Sequence, residues 1–345
     1  SDLMRYAKFI RHFMLRTPAD PTSFKPRDIS EMAFMAKKFL DMSEKDICEF
    51  IRFMTMSCGD FLDEYFENEL IKTTLATSSI IGTALGVYSP GTAYVLLHHV
   101  MGDVDGAVGA WGLARGGMGA ISNAIASALK EHGGEIMTNA PVDKIIVKNN
   151  KARGVTLENG DEIYADIVVS NLDPKRTFTK IMNREDIPED LYKKATNFKI
   201  RGSSGKVNIA LNGMPDWPSL PKDHLLRNGS MQFLDTRDRM ERAYDDWKHG
   251  RWSEDPFIEM TQSSIWDPTH AAPGNYFVSC FIQYCPAEIE GGWTPEKREA
   301  FGETVINQIS QYSPNFRDFI VHKEVRTPFE IENEVGLTEG NIFQG

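Results

Sequence analysis

The sequence predicts a mixed α+β protein (α/β in the broad sense), and three observations carry that prediction. Apolar residues recur at helical spacing through the first third. A glycine-flanked helix followed by short alternating segments fills the middle, and β-branched and aromatic runs separated by turns lie beyond residue 200. With 345 residues the chain is long enough for about two domains.

The first element is read from Leu3, Tyr6, Ala7, Ile10, Phe13 and Met14, which form one helical stripe. Ser43 followed by Asp46 marks another helix start, with Ile47, Phe50, Ile51 and Met54 on one face. Helix continues through Phe61, Leu62, Tyr65, Phe66 and Leu70, and Pro90-Gly91 precedes a short apolar helix over Ala93–Val100. Residues up to about 102 are therefore expected to be helical. Gly116-Gly117-Met118-Gly119 then opens a helix carrying Ile121, Ala124, Ile125, Ala128 and Leu129, closed by Gly133-Gly134.

A β-meander is expected next, over Glu135–Thr138, Val142–Lys148, Ala152–Glu158 and, after an Asn159-Gly160 turn, Glu162–Tyr164. Ile167–Ser170 is apolar on both faces, the habit of a buried parallel strand, and Asp173-Pro174 supplies a helix cap and first helical residue. Strands over Lys206–Leu211, Ser230–Leu234, Phe257–Ser263, Tyr276–Tyr284 and Phe319–Val325 imply a mainly antiparallel sheet. Helices over Arg237–His249 and Pro295–Tyr312 accompany it, and the tail from Thr327 reads as irregular.

Composition removes several classes of function. Against 38 basic residues stand 49 acidic ones, and a net charge of −11 argues against a field that draws the chain onto nucleic acid or anionic lipid. A hydrophobic content of 41% with 25% charged residues excludes wholesale disorder. Cys48, Cys58, Cys280 and Cys285 are too few and too irregular for a disulfide framework, which points to a reducing, intracellular compartment, cytoplasmic or organellar. No apolar run reaches the length of a membrane span, and the opening residues lack the pattern of a signal peptide. A start without Met and an end just after Asn341-Ile342-Phe343 read as a fragment.

Local motifs carry little chemistry by themselves. No metal-ligand spacing occurs, so no metal is expected. His98 and His99 are adjacent and point about 100° apart on a helix, which suits packing or capping. Cys280 and Cys285 would lie on opposite faces of a strand and read as core residues. Gly202-Ser203-Ser204-Gly205-Lys206 fits neither a nucleophile elbow nor a phosphate loop and reads as a loop. Gly117-x-Gly119-x-x-Ser122 only half matches a dinucleotide fingerprint, although glycines at a helix N-terminus let a ligand or another backbone approach. Nine of the 15 methionines fall in the first 118 residues, which suits either a plain helical core or a greasy pocket.

The order of segments says more. Ser89–Val100, Gly109-Ala110-Trp111-Gly112, Gly116–Ser122, Val142–Val147, Gly154–Gly160, Val168-Val169-Ser170-Asn171, Trp266-Asp267-Pro268-Thr269, Ala272-Pro273-Gly274 and Gly340-Asn341-Ile342-Phe343 together resemble the phytoene desaturase-related FAD-dependent oxidoreductases. Within them the chain is most similar to the pyridine nucleotide-disulfide oxidoreductase domain-containing branch. The resemblance implies an incomplete two-dinucleotide-binding flavoprotein fold with a helical and antiparallel-sheet substrate domain. It divides the chain into a helical part of the substrate domain (1–115), a partial FAD-binding domain (116–175), the sheet and helices of the substrate domain (176–326) and a return toward the FAD-binding domain (327–345).

The implied cofactor is FAD. Val142 takes the position whose backbone meets the adenine, Ser170-Asn171 end the strand returning toward the nucleotide, and Gly116, Gly117 and Gly119 lie at the crossing between domains. The family's N-terminal β-α-β unit with its G-x-G-x-x-G, and its glycine-rich C-terminal segment, have no counterpart in these residues. The chain alone is therefore expected to bind FAD weakly or not at all, and the fragment by itself to be inactive.

The implied activity is hydride transfer from an apolar organic substrate to flavin, with the cofactor doing the chemistry and no catalytic residue named. The partner is an apolar small molecule, with a peripheral membrane contact left open and nucleic acid excluded. A noncatalytic module binding a hydrophobic ligand or protein partner, and a flavin-dependent isomerase, stand as alternatives.

Overall fold

The computed structural model describes residues 2–14, 16–221 and 229–343. The chain opens with helices α1 (Asp2–Met14), α2 (Pro26–Leu40), α3 (Glu44–Thr55), α4 (Cys58–Asp63), α5 (Glu69–Ala76) and α6 (Thr92–His99). A short antiparallel pair follows, β1 (Asp103–Val104) and β2 (Ala107–Val108), then α7 (Met118–Glu131). Next come β3 (Val142–Lys148), β4 (Lys151–Leu157), β5 (Glu162–Tyr164), α8 (Glu189–Asn197) and β6 (Ser204–Leu211). After them lie β7 (Ser230–Gln232), α9 (Arg237–Lys248), β8 (Phe257–Thr261), α10 (Ser263–Trp266), β9 (Tyr276–Gln283), α11 (Pro295–Tyr312) and β10 (Ile320–Arg326). The mixed helix-and-antiparallel-sheet class expected from sequence is the class observed. Contacts divide the chain into two compact units, one made of Ser1–Ile81, Leu85–Gly112 and Leu234–Asp245, the other of Gly82–Ala84, Leu113–Phe233 and Asp246–Gly345.

The first unit is helical because its helices are capped and striped. Ser43, Ser57 and Asn68 each accept a hydrogen bond from the backbone N–H three residues on, at 3.0–3.1 Å, satisfying one of the amides a helix start leaves unpaired. The α1 stripe buries Tyr6, Ala7 and Ile10, and Tyr6 meets Phe50 and Phe53 of α3 at ring-centroid distances of 5.7 and 4.8 Å. Of the nine early methionines Met101 is buried, Met4, Met32, Met42, Met54 and Met56 are half-buried, and Met14, Met35 and Met118 are exposed.

In this unit α9 is fastened by one side chain. The Arg237 guanidinium, 6% exposed, donates to both Glu69 carboxylate oxygens at 2.9 Å, to Asp63 at 2.9 Å and to the Gly59 carbonyl at 3.0 Å.

The second unit is built on a five-stranded antiparallel sheet of order β10-β6-β9-β8-β7. Strict alternation makes it two-faced. Val207, Ile209 and Leu211 of β6, Val278, Cys280 and Ile282 of β9, and Ile258 and Met260 of β8 pack with Phe301, Val305, Ile306 and Ile309 of α11. Each large apolar side chain fully buried there contributes roughly 1.5–3 kcal/mol. Cys285 joins the same core as Cys280, because it lies past the end of β9, where strand alternation no longer applies.

The meander β3-β4-β5 forms a separate antiparallel sheet at the positions expected from the sequence. It depends on Gly154. A Cβ there would stand 2.2 Å from the Ile163 carbonyl oxygen, so only glycine lets β5 approach.

Four expectations fail locally. The tail from Thr327 is not irregular, because Thr327 and Glu330 form a capping box that starts a helical turn at Pro328–Glu330, and further turns follow over Ile331–Val335 and Thr338–Gly340. Glu135–Thr138 is not a strand, since the Gly133-Gly134 cap leads directly into irregular chain. Ile167–Ser170 forms no strand either, and Ile167 and Val169 are 79% and 86% exposed. A strand exists only through a paired neighbour, and no described residue pairs with this one. The run Gly202–Lys206 is not a loop throughout, because β6 begins at Ser204.

Candidate functional site

The glycine turn before α7 is held by a carboxylate. Gly116 and Gly117 have φ of +84° and +75°, a region open to glycine at little cost, and the Gly116 N–H donates to Asp267 Oδ2 at 2.5 Å. Asp267 Oδ1 also accepts from the Thr269 N–H at 3.0 Å and the Thr269 hydroxyl at 2.7 Å. These bonds, Thr269 first and the Gly116 amide next, draw the carboxyl pKa down to about 2. His270 completes the clamp, with Nε2 at 3.4 Å from Asp267 Oδ2 and Nδ1 at 2.9 Å from Ser263 Oγ. A Cβ on Gly117 would come within 3.1 Å of His270 Nε2, whereas Gly119 has open space around it. Although α7 forms as expected, it buries none of its residues, and Ile121, Ile125 and Leu129 remain exposed.

A dinucleotide pyrophosphate needs unshielded N–H groups at a helix N-terminus. Just before the N-cap of α7 the Gly116 amide is committed to Asp267, whose negative charge would oppose a second anion. The turn therefore fits a backbone clamp and does not fit a pyrophosphate cradle.

The meander offers a different surface. β3 is an edge strand, so one row of its backbone groups faces away from β4, and Ile145 N–H uses one of them to reach the Ile181 carbonyl at 2.8 Å. Val142 stands at the start of that edge, on the surface. Such an edge fits the in-plane hydrogen bonding that an adenine ring presents.

Ser170 and Asn171 are both exposed, and Ser170 Oγ lies 2.9 Å from Thr177 Oγ1. Buried Asp173 caps the following turn through the Arg176 N–H at 2.9 Å and accepts from the Thr338 hydroxyl at 2.7 Å, joining the tail to this segment. Arg176 donates to the Gly336 carbonyl beside it. Among the described residues no hydrogen bond joins Val142, Ser170-Asn171 and the α7 glycines to one another.

The face of the large sheet turned away from α11 carries the polar residues that sequence reading did not single out. Register places Lys206 opposite Phe281, which is itself opposite Glu259, and Asn208 opposite Ser279. Asn208 Nδ2 donates to Glu324 at 3.0 Å, and the Ser279 hydroxyl donates to Asn208 Oδ1 at 3.0 Å. Burial pushes the Lys206 ammonium pKa down. The alternation Lys206-x-Asn208 marks this face within the strand read over Lys206–Leu211, but what lies across from it is set by the flanking strands β10 and β9.

At one end of this face buried Gln283 accepts from the Gly82 N–H at 2.8 Å and donates to the Thr83 carbonyl at 2.9 Å. Ile342 and Phe343 close on Gly82, whose φ of +69° and 2.7–3.0 Å clearances leave no room for a side chain.

Other candidates are structural. His99 Nδ1 lies 2.9 Å from the Val95 carbonyl and its ring stacks on Trp111. Burial raises the thiol pKa of Cys58 and Cys280 to about 12, which removes them as nucleophiles at neutral pH. Among the described residues no group of three or more His, Cys, Asp or Glu side chains could hold a metal ion, and no helix is long and apolar enough to cross a membrane.

Comparison with known proteins gives this combination of a two-faced antiparallel sheet, a separate meander and a helical unit a family. The flavin-containing amine oxidoreductase model matches residues 8–280, and the chain belongs to that family. It is 32% identical over 364 aligned positions to mouse pyridine nucleotide-disulfide oxidoreductase domain-containing protein 2, covering 99% of this chain and 62% of the relative. It is 25% identical to chloroplastic prolycopene isomerase 2 of an Oncidium hybrid cultivar, over 80% of this chain and 44% of that protein. Among solved structures, an oxidoreductase from Methanosarcina mazei superposes with a TM-score of 0.53 at 18% identity, covering 88% of this chain and 61% of that one. The chain thus spans less than two thirds of the length of the relatives it matches.

Proposed function

We propose that the protein containing this chain oxidises an apolar organic substrate by hydride transfer to FAD, and that this chain supplies the substrate-side body with an incomplete part of the cofactor-binding domain. The observation that carries the reading is membership of the flavin-containing amine oxidoreductase family across residues 8–280. Bound FAD would supply the two-electron acceptor. The chain's own part is to bind and orient. On the open face of the large sheet Phe277 and Phe281 offer apolar contact beside half-buried Lys206 and the Asn208–Ser279 pair. In this reading the substrate loses a hydride from one atom and a proton from its neighbour, and a separate acceptor such as dioxygen or a quinone later removes the two electrons. FAD affinity of the 345-residue chain alone is weak in this reading, because the α7 turn is filled by Asp267 and no other described glycine-rich helix start replaces it.

The test is a visible spectrum of two proteins, this chain and the longer protein containing it. The longer protein should carry flavin absorbance that bleaches anaerobically with an apolar donor and returns on reoxidation, while this chain should purify nearly colourless. Stoichiometric flavin on the chain alone refutes the weak-binding part, and a longer protein that never holds flavin refutes the whole.

Similarity to a prolycopene isomerase favours a second reading, a redox-neutral isomerisation at the same sheet face. Product mass equal to substrate mass selects it over oxidation.

A further inference from the structure

We propose that α2 and the segment leading into it form a surface that docks on an anionic lipid bilayer. The inner side of α2 is accounted for, since Phe34 and Phe39 pack against Phe13 of α1 at 6.2 and 6.3 Å and Phe39 also meets Phe9 at 5.2 Å. The outer side is apolar and uncovered. Ile29, Ala33, Ala36 and Leu40, spaced by four, three and four residues, make one exposed stripe along the helix, and Leu40 is 82% exposed. Phe24, just before the helix, is 91% exposed, in line with a side chain meant for a medium other than water.

Charge chooses the occupant. In a chain whose total is −11, the segment from Phe24 to Asp41 carries Lys25, Arg27, Lys37 and Lys38 against Asp28, Glu31 and Asp41, and of these acids Asp28 is buried and Glu31 is paired with Arg16. Lys25 precedes the helix and Lys37 lies beside Ala33 and Leu40 on its outer face, and neither has a carboxylate of the described residues within ion-pair distance. Long lysine stems can lie along the apolar stripe while their ammonium groups reach phosphate oxygens, the arrangement of helices that rest in a bilayer interface. An acidic protein partner would meet the lysines but leave the aromatic tip at Phe24 without a role, whereas the acyl boundary takes both.

The test is co-sedimentation of the chain with extruded vesicles, either phosphatidylcholine alone or about three parts phosphatidylcholine to one part phosphatidylglycerol. The expected result is binding to the anionic vesicles that weakens with added salt and is at least tenfold weaker to phosphatidylcholine. Lys37→Glu and Lys25→Glu should each reduce binding about tenfold, and Phe24→Ser or Leu40→Ser by a similar factor. Lys151→Glu, at the exposed first residue of β4, should leave it unchanged. All four sites are exposed, so an unaltered circular-dichroism melt confirms that each variant folds. Absence of binding, or binding indifferent to these substitutions or equal on both vesicles, overturns the proposal. Concentration-dependent self-association abolished by Phe24→Ser also overturns it, in favour of a second copy of the chain on this face.

Discussion

Replacing Arg237 by methionine keeps the stem that packs in the helical unit and removes the guanidinium that fastens α9 to α4 and α5. Four hydrogen bonds go with it, two to Glu69, one to Asp63 and one to the Gly59 carbonyl, while the bond from the backbone N–H of residue 237 to Glu69 stays. Charge-assisted bonds are worth about 1.5–3 kcal/mol each when counted singly. They share one cation, and the two carboxylates keep 41% and 46% of their side-chain exposure, so screening reduces the net loss to about 2–4 kcal/mol. Urea denaturation followed by circular dichroism measures this directly, and a double-mutant cycle with Glu69→Gln isolates the pair. Acid dependence gives a second readout. Arg237 holds the pKa of both Asp63 and Glu69 below their ordinary 3.8 and 4.5, so their stabilisation is present above those values and is lost as pH falls through the lower folded ones. Wild-type stability should thus fall below about pH 4 more steeply than that of the variant. A loss under about 0.5 kcal/mol, or identical acid profiles, would show that the guanidinium is a passenger of the fold.

The other predictions concern the second unit and the thiols. Asp267→Ala should free the Gly116 amide and speed hydrogen exchange at the start of α7 by more than tenfold, and unchanged protection there would remove the clamp from the account. Gly154→Ala should cost about 2–4 kcal/mol, because its Cβ would collide with the backbone of β5 and not with a movable side chain; a thermal melt within about 1 °C of wild type would disprove that. In the native chain only Cys48 should react quickly with a thiol-labelling reagent, since Cys58, Cys280 and Cys285 are buried; three further thiols should appear on unfolding.

What the sequence revealed was local and periodic. The Tyr6–Ala7–Ile10 stripe, the Ser43 cap, the meander from Val142 to Tyr164 and the 18-residue helix α11 each follow from spacing and capping chemistry within a few neighbours. Family-level resemblance came from the order of segments, because the single motifs were weak. What stayed hidden depends on partners far along the chain. Ile167–Ser170 has the composition of a strand and nothing described to pair with, while the Asp267 clamp joins residues 151 positions apart. Lys206 was concealed for another reason. Its role as a half-buried cation emerges only when β10 and β9 flank β6, a register no single segment encodes.

One consequence follows from how the polypeptide is shared between its two bodies. The backbone passes from one to the other five times, and the excursion Gly82–Ala84 contributes only three residues before turning back. A protease cut at any single passage would therefore nick the molecule without releasing a half, and neither body can be excised as an uninterrupted stretch for expression or recombination. Whatever selects for this protein must act on both bodies as one inherited piece.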